Sequence, residues 1–403
     1  MNKINLLNKE YLYNIWRVFV TAWLFTFSLT YSSFYYTQIW GLGLVLLFMT
    51  AIGMVLKGHV DFDIKILFIA EAFILVGFHN SRNWVDFEVP YAWILVMPYL
   101  LGKMSIGNDE KNANKNFYIN YFVMAAGMTI SGLVDVIYGA VNGLYSTEFL
   151  YSIWTKESYV RTTHEYNYVF MISALLFFLI SAKKIKEFYL LVIFDLIIVV
   201  DMVYHEGRYS LLYTILQIMF FLCIIAYWGW KKNEKVKTTI ILIGCTLIIG
   251  AILLVVMFEL NLFGIQDLYD SSYLIGGGGI LHNERFEFLV DVIKAMPEHV
   301  LGGYDVASPE GSHNMWLEYG DKYGVVVLAL LLIFKLLTIK DAVCVAVYEK
   351  TNIKYLVLSA FIYLHLYYTL EPNGFAKREF LIFGLFFWGM IRGKIELGLV
   401  KRN

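Results

Sequence analysis

The stretch Phe117-Tyr118-Ile119-Asn120-Tyr121-Phe122-Val123-Met124-Ala125-Ala126-Gly127-Met128-Thr129-Ile130-Ser131-Gly132-Leu133-Val134-Asp135-Val136-Ile137-Tyr138 runs for 22 residues with a single charged side chain, Asp135. As a helix it would be about 33 Å long, enough to cross a hydrocarbon core of about 30 Å. Eleven other segments read the same way: Val18–Tyr35, Gly41–Leu56, Ile64–Phe78, Val89–Leu101, Tyr168–Ala182, Phe188–Tyr204, Leu211–Trp228, Thr238–Met257, Val325–Thr338, Tyr355–Leu370 and Phe380–Ile391. The shorter ones reach across with polar ends that snorkel to the interface. Composition agrees, because 59% hydrophobic residues, 18% aromatics and a mean hydropathy of +0.62 exceed what a soluble domain of 403 residues could bury. The chain therefore reads as an all-α polytopic membrane protein, residues 1–403 forming one integral membrane domain of about twelve transmembrane helices.

Orientation follows from basic residues, which collect in cytoplasmic loops. With the N-terminus inside, 23 of the 32 basic residues fall on the cytoplasmic side, among them Lys9, Arg17, Lys57, Lys65, Lys103, Lys335, Lys350, Arg392 and Lys394. Both termini are then cytoplasmic, in the cytoplasmic (inner) membrane, and the first apolar run reads as a retained span. Balanced charge, 32 basic against 33 acidic side chains, gives no global field for nucleic acid. Cys223, Cys245 and Cys344 lack ligand-pair spacing and read as packing residues.

Arg82, Arg161, Arg208 and Arg285 run against the bias by falling outside. The longest outside region, 258–322, carries Gly276-Gly277-Gly278-Gly279, a joint with no Gly-Lys-Ser/Thr to make it a phosphate loop. Asn283 then caps a predicted interfacial helix with Phe286, Leu289, Val290, Ile293 and Met296 on its apolar face, ending before Pro297. Asp201, His205 and Arg208 share a helix face at i, i+4 and i+7, either to position Arg208 or as a structural cluster. Glu71, Asp135, Asp195 and His365 lie within spans and are expected to face the bundle or a wet cavity. Arg161 and His164 share an outside loop with Tyr145, Tyr151, Trp154 and Tyr159, either shaping a saccharide site or marking the interface. Asp61-Phe62-Asp63 matches a metal-binding Asp-x-Asp pattern, but in a loop too short for a nucleotide-binding domain, and reads as chance.

The run Glu284-Arg285-Phe286, the helix after it, Pro297, Gly302-Gly303, and Ser312-His313-Asn314 with Leu317-Glu318 and Gly320 resembles the signature region of the O-antigen ligase and Wzy-type polysaccharide polymerase superfamily. A second piece, Glu206-Gly207-Arg208-Tyr209-Ser210, is similar to that family's step at the outer end of an earlier span. The resemblance covers roughly residues 284–332, with Gly before Arg208 and Gly-Gly-Tyr for Gly-x-Gly as departures.

It implies a membrane glycosyltransferase with its active site on the outer face, using a polyprenyl-diphosphate-linked oligosaccharide as donor and acceptor, without metal or cofactor. Arg208 and Arg285 would meet the charge on the diphosphate leaving group, since guanidinium grips two phosphate oxygens at once. His313 would take the proton from, or orient, the attacking sugar hydroxyl. Asn314 either caps the next helix or joins Glu318 in contacting substrate, with Arg161, His205 and Asp201 as further contacts. Partners implied are the bilayer and, in the same pathway, a flippase and a chain-length regulator. Polymerisation of repeat units is favoured over ligation of finished glycan, because ligation to a lipid core is confined to some envelopes. A lipid-linked oligosaccharide flippase is the alternative of another class, but alternating-access carriers tend to show repeated halves and midplane sites, and no internal repeat is visible.

Overall fold

The computed structural model describes residues 3–30, 39–58, 63–80, 89–107, 110–144, 149–154, 156, 158–181, 197–198, 201, 213–221, 284–298, 300–302, 314–370 and 378–398. They are mostly helical: α1 (Lys3–Thr30), α2 (Ile39–Lys57), α3 (Ile64–Asn80), α4 (Val89–Ser105), α5 (Glu110–Val141), α6 (Val169–Ser173), α7 (Leu175–Ser181), α8 (Glu284–Ala295), α9 (Met315–Tyr323), α10 (Val325–Tyr348), α11 (Ile353–Leu370) and α12 (Arg378–Glu396). One element departs from all-α: β1 (Phe149–Tyr151) pairs antiparallel with β2 (Ser158–Val160), with Leu150 opposite Tyr159. Nine of the twelve expected segments coincide with helices; Leu211–Trp228 is helical over its described half, 213–221, and Phe188–Tyr204 and Thr238–Met257 lie mostly and wholly outside the described residues. By length and composition one described helix, Asn112–Val141, is long and apolar enough to cross a membrane; Gly41–Lys57 and Ile94–Ser105 are apolar but shorter.

The chain divides into two compact units, residues 1–173 with 288–403, and residues 174–287. In the second unit, the described part includes α7, where the Leu176 amide donates to Gln217 Oε1 at 3.2 Å.

The first unit is built around α4, which packs on α2, α3 and α12 and is buried throughout 94–107. Its closest neighbour is α12, because glycines let the two backbones touch. A Cβ at Gly389 would lie 2.0 Å from the Tyr99 carbonyl oxygen, one at Gly393 2.3 Å from that of Lys103, and one at Gly102 2.0 Å from that of Phe386. Gly389-Met390-Ile391-Arg392-Gly393 is thus a Gly-x-x-x-Gly contact, the geometry in which small residues allow helices to pack by close approach. Helices α1 and α5 run parallel, in a register held by Arg17 on Asn116, Thr21 on Asn120 (2.8 Å) and Ser28 against Gly127.

Charged side chains collect where α3, α4, α10 and α12 meet. Lys65 Nζ lies 2.9 Å from both Asp63 and Asp341; Arg392 Nε is 3.1 Å from Asp63 and 2.9 Å from Glu396; Lys103 Nζ is 2.8 Å from Glu396. Tyr99 donates to Asp63 at 2.7 Å, and beside this group Lys394 pairs with Glu349 at 2.6 Å. Asp63 therefore belongs to an ion-pair network; Asp61, the other carboxylate of the Asp-x-Asp pattern, lies outside the described residues. Burial pushes the Asp63 carboxyl up, but hydrogen bonds from Lys65 and Tyr99 and the charges of Lys65 and Arg392 outweigh it and hold the group below the usual range. Glu349 is likewise held low, with burial opposed by Lys394 and Thr351.

Glu71 lies on the exposed face of α3, because Ile66, Ile69, Phe73 and Val76 form the buried stripe and position 71 falls opposite it. Asp135 and His365 are buried, as expected; Asp195 lies outside the described residues. On α8 Val292 is buried, as is Met296 in the turn after it, whereas Ile293 of the expected interfacial face is 50% exposed.

Candidate functional site

The described first-unit residues of the resemblance, from Pro297 and Gly302 to Asn314, Glu318 and Gly320, pack together at the end of that unit remote from the ion-pair network. Helix α8 stops at Ala295, ahead of Pro297, and a 3-10 turn, Met296–Glu298, follows. The Val325 amide donates to the Val300 carbonyl at 2.9 Å, tying the chain just past that turn to the start of α10. Gly302 (φ +72°) and Gly324 (φ +103°) lie backbone to backbone, and a Cβ on Gly302 would come within 2.5 Å of the Gly324 nitrogen. Both positions need glycine twice over, for the left-handed backbone and for the close approach. Gly320 is constrained less, since a Cβ there would meet the flexible Met296 Cε at 2.8 Å. Gly302, Gly320 and Gly324 are therefore packing residues that set α9 against the turn after α8.

Asn314 starts α9 in extended conformation (φ −133°, ψ 107°), and its Oδ1 accepts from the Leu317 amide at 3.1 Å. Of its two readings the cap is the one observed. Glu318 lies in the first turn, buried, where a carboxylate is favoured by the helix dipole. Rings pin the helix: Tyr319 meets Phe73 of α3 at 5.8 Å, Tyr323 meets His79 at 5.6 Å, and Trp316 meets His365 and Tyr368 of α11, each at 6.3 Å.

Lys335 was grouped by sequence with the inside residues, yet its ammonium points back along α10 toward α9. It lies 4.8 Å from the Trp316 ring centre and donates to Thr369 Oγ1 at 3.4 Å. A lysine within the apolar run Val325–Thr338 was the available signal, because ionisable groups among such residues are costly. Side chains on a helix lean toward its N-terminus, which carries the ammonium to the α9 end.

The β1–β2 ribbon stands at the same end. Asp135 Oδ1 accepts from the Ile153 amide at 2.9 Å; the Tyr159 hydroxyl lies 3.3 Å from Asp135 Oδ2 and 2.9 Å from His164 Nδ1; the Tyr168 hydroxyl lies 3.1 Å from His164 Nε2. Burial first, then the Asp135 charge, pushes the Tyr159 phenol well above its ordinary value, so it remains a donor. This network docks the ribbon on α5, and Gly132 leaves the space that His164 and Asn167 fill. Rings continue from here to α9 through Tyr166–Phe380 (5.9 Å), Phe380–Tyr368 (5.6 Å) and Tyr368–Trp316 (6.3 Å). The sequence places Tyr159 and His164 in one outside loop but does not link them to Asp135.

Arg285 falls in the first turn of α8 and Arg161 opens the 3-10 turn Arg161–Tyr168. Asp201 is helical and half-buried. His313, Arg208 and His205 lie outside the described residues, as do Gly276–Gly279, Asn283 and Gly303. The structure thus brings together Asn314, Glu318 and the ring-linked Asp135–His164 network, with Lys335, Trp316 and His365 added. No protein-family model, curated protein or solved structure matches the chain, so the reading of this site rests on its own residues.

Proposed function

We propose that the chain is an integral membrane glycosyltransferase of about twelve spans that polymerises polyprenyl-diphosphate-linked oligosaccharide units on the outer face of the cytoplasmic membrane. The membrane part is supported by an inside-out distribution of side chains. Val18 (68% exposed), Phe48 (68%), Val55 (74%) and Phe78 (69%) present apolar faces outward, while Asp63, Lys65 and Lys103 are buried. Helix α1 begins and α12 ends on the ion-pair side, where Tyr13 donates to Met104 and Lys103 meets Glu396. That side is the cytoplasmic one in this proposal, with both termini on it.

The observation that carries the enzyme reading is α9. It is capped by the residue next to His313, buried on α3 and α11, and locked by glycines to the turn after α8. A base that must meet a sugar hydroxyl within hydrogen-bond reach needs such a rigid mount. His313 takes the acceptor proton as the hydroxyl attacks the anomeric carbon, and Arg208 and Arg285 meet the charge on the departing diphosphate. Asn314 and Glu318 hold the mount; Arg161, His205 and Asp201 are contacts for the saccharide or its arginines. Ligation of finished glycan to another acceptor would use the same donor chemistry.

His313→Ala is the test. It should accumulate single repeat units on the outer face and reduce long glycan by about 10²–10⁴-fold, the usual loss for a general base, with no rescue by added divalent metal. Units left on the cytoplasmic face would favour a flippase and overturn the proposal.

A further inference from the structure

A groove of about 320 Å³ runs between α1 and α5 in the first unit. Arg17, Asn116 and Ser105 lie at one end of it, Thr21 and Asn120 come next, and Phe25 lies toward the other. The neutral polar groups of its floor are matched to one another and to α4. Thr21 Oγ1 donates to Asn120 Oδ1 at 2.8 Å, Asn120 Nδ2 to Ser105 Oγ at 2.9 Å, Ser105 Oγ to the Gly102 carbonyl at 2.8 Å, and Asn116 Nδ2 to the Ile106 carbonyl at 2.8 Å. Arg17 donates to Asn116 Oδ1 and, at 3.3 Å, to Asn14 Oδ1. The walls are apolar: Val18, Ala22 and Phe25 recur at i, i+4 and i+7 on α1, and Ile119 and Val123 at i and i+4 on α5. Val18 is 68% exposed, Ile119 40% and Phe25 37%, so the groove opens away from the bundle. Ala22 leaves the space, a methyl group standing between two larger side chains.

An occupant thus meets an apolar trough that ends at a guanidinium. Because α1 and α5 run parallel, their polar ends coincide, and Arg17 to Phe25 spans about 12 Å of helix. With the N-terminus inside, Arg17 stands at the cytoplasmic boundary of the membrane and the trough rises from it into the hydrocarbon. Water is a poor filling, since it finds few partners along apolar walls, and a polar metabolite would leave its own groups unmatched there. A glycerophospholipid has its parts in the same order, an anionic phosphate suited to guanidinium and then an acyl chain. We propose that the α1–α5 groove holds one glycerophospholipid of the cytoplasmic leaflet, with its phosphate on Arg17 and an acyl chain along Ala22, Phe25 and Val123. The proposal rests on reading the chain as a membrane protein with its N-terminus inside, and it is independent of glycosyl transfer. The bound lipid braces α1 against α5, so binding is read as stability.

The test is thermal unfolding of the purified full-length protein in detergent, with dioleoylphosphatidylglycerol as probe. Dioleoylglycerol, which has the chains without the phosphate, and glycerol 3-phosphate, which has the phosphate without the chains, are the controls. The phospholipid should raise the wild-type midpoint, and neither control should match it. Ala22→Phe fills the trough from an exposed position and leaves the contacts of Arg17 in place. It should weaken the apparent affinity for the phospholipid at least about tenfold, yet without lipid it should unfold no earlier than wild type. Arg17→Gln should reduce the phospholipid response to that of dioleoylglycerol. Should that variant fold poorly, having lost its contacts to Asn14 and Asn116, Ala22→Phe still decides. An undiminished response in Ala22→Phe would overturn the groove as the site, and equal wild-type responses to dioleoylglycerol and phospholipid would overturn the phosphate assignment. Thiol labelling that puts the N-terminus outside, together with a phospholipid response lost in Ala22→Phe, would overturn the leaflet and keep the site.

Discussion

Asp63 sits among Lys65, Tyr99 and Arg392, and its depressed carboxyl makes a stability that depends on pH. A group with a lowered folded pKa stabilises above its unfolded value, about 4, and that contribution disappears as pH falls through the folded value. The unfolding midpoint of solubilised wild type should therefore drop on acidification below about pH 4. Asp63→Asn should start lower at pH 7, by about 3–5 kcal/mol, because Lys65 is then left to Asp341 and Arg392 to Asp341 and Glu396, and should show less of the acid drop. Equal acid profiles would remove Asp63 as the source. Arg285 makes a prediction about chemistry. Arg285→Lys should leave membrane yield unchanged and cut glycan output by tenfold or more, since a point charge does not reproduce two-oxygen contact with a diphosphate. Near-native glycan length in that variant would remove Arg285 from the leaving-group role. The Asn314 cap was readable in advance, because capping needs only the residue and the amides three positions on. Lys335 was not, since which way a lysine leans matters only once Trp316 and Thr369 are placed beside it.

At the scale of elements, the α4–α12 contact is the closest in the molecule and depends on glycine. Gly389→Ala puts a Cβ against the Tyr99 carbonyl oxygen, and the helices must separate to accept it. The cost should be about 1–3 kcal/mol or more, seen as a lower unfolding midpoint. Gly41→Ala, in α2 with no atom within 4 Å of its Cβ position, is the control and should be neutral or slightly stabilising. Matching effects at the two positions would argue against the contact. The Gly-x-x-x-Gly spacing at 389–393 was visible in the sequence as a pattern, yet nothing local said which helix it faced. On α8 the apolar residues recur at helical spacing, but only the packed structure shows that Val292 is buried and that Met296 of the following turn lies against Gly320 of α9.

For the whole molecule, the twelve-span proposal places the Lys231–Lys237 turn inside and the glycine run near Gly278 outside. In a cysteine-free background, a cysteine at Lys235 should be shielded from an impermeant thiol reagent in intact cells, and one at Gly278 should label. Labelling at both would reject the orientation. What the sequence determined by itself was where most of the described apolar helices lie, though not their ends, since α1 begins at Lys3 and α10 runs on to Tyr348, and the capped element after His313. Hydropathy, capping and proline stops act over a few neighbouring residues, so they survive without a fold. Tertiary structure decided which buried charges meet, with Asp63 and Arg392 paired across more than three hundred residues, and how the ribbon docks through Asp135, Tyr159 and His164. It also placed Glu71 outward and drew Lys335 toward Trp316. Those outcomes depend on which helices become neighbours, and neighbours are chosen by packing and by pairing buried charge over the whole chain.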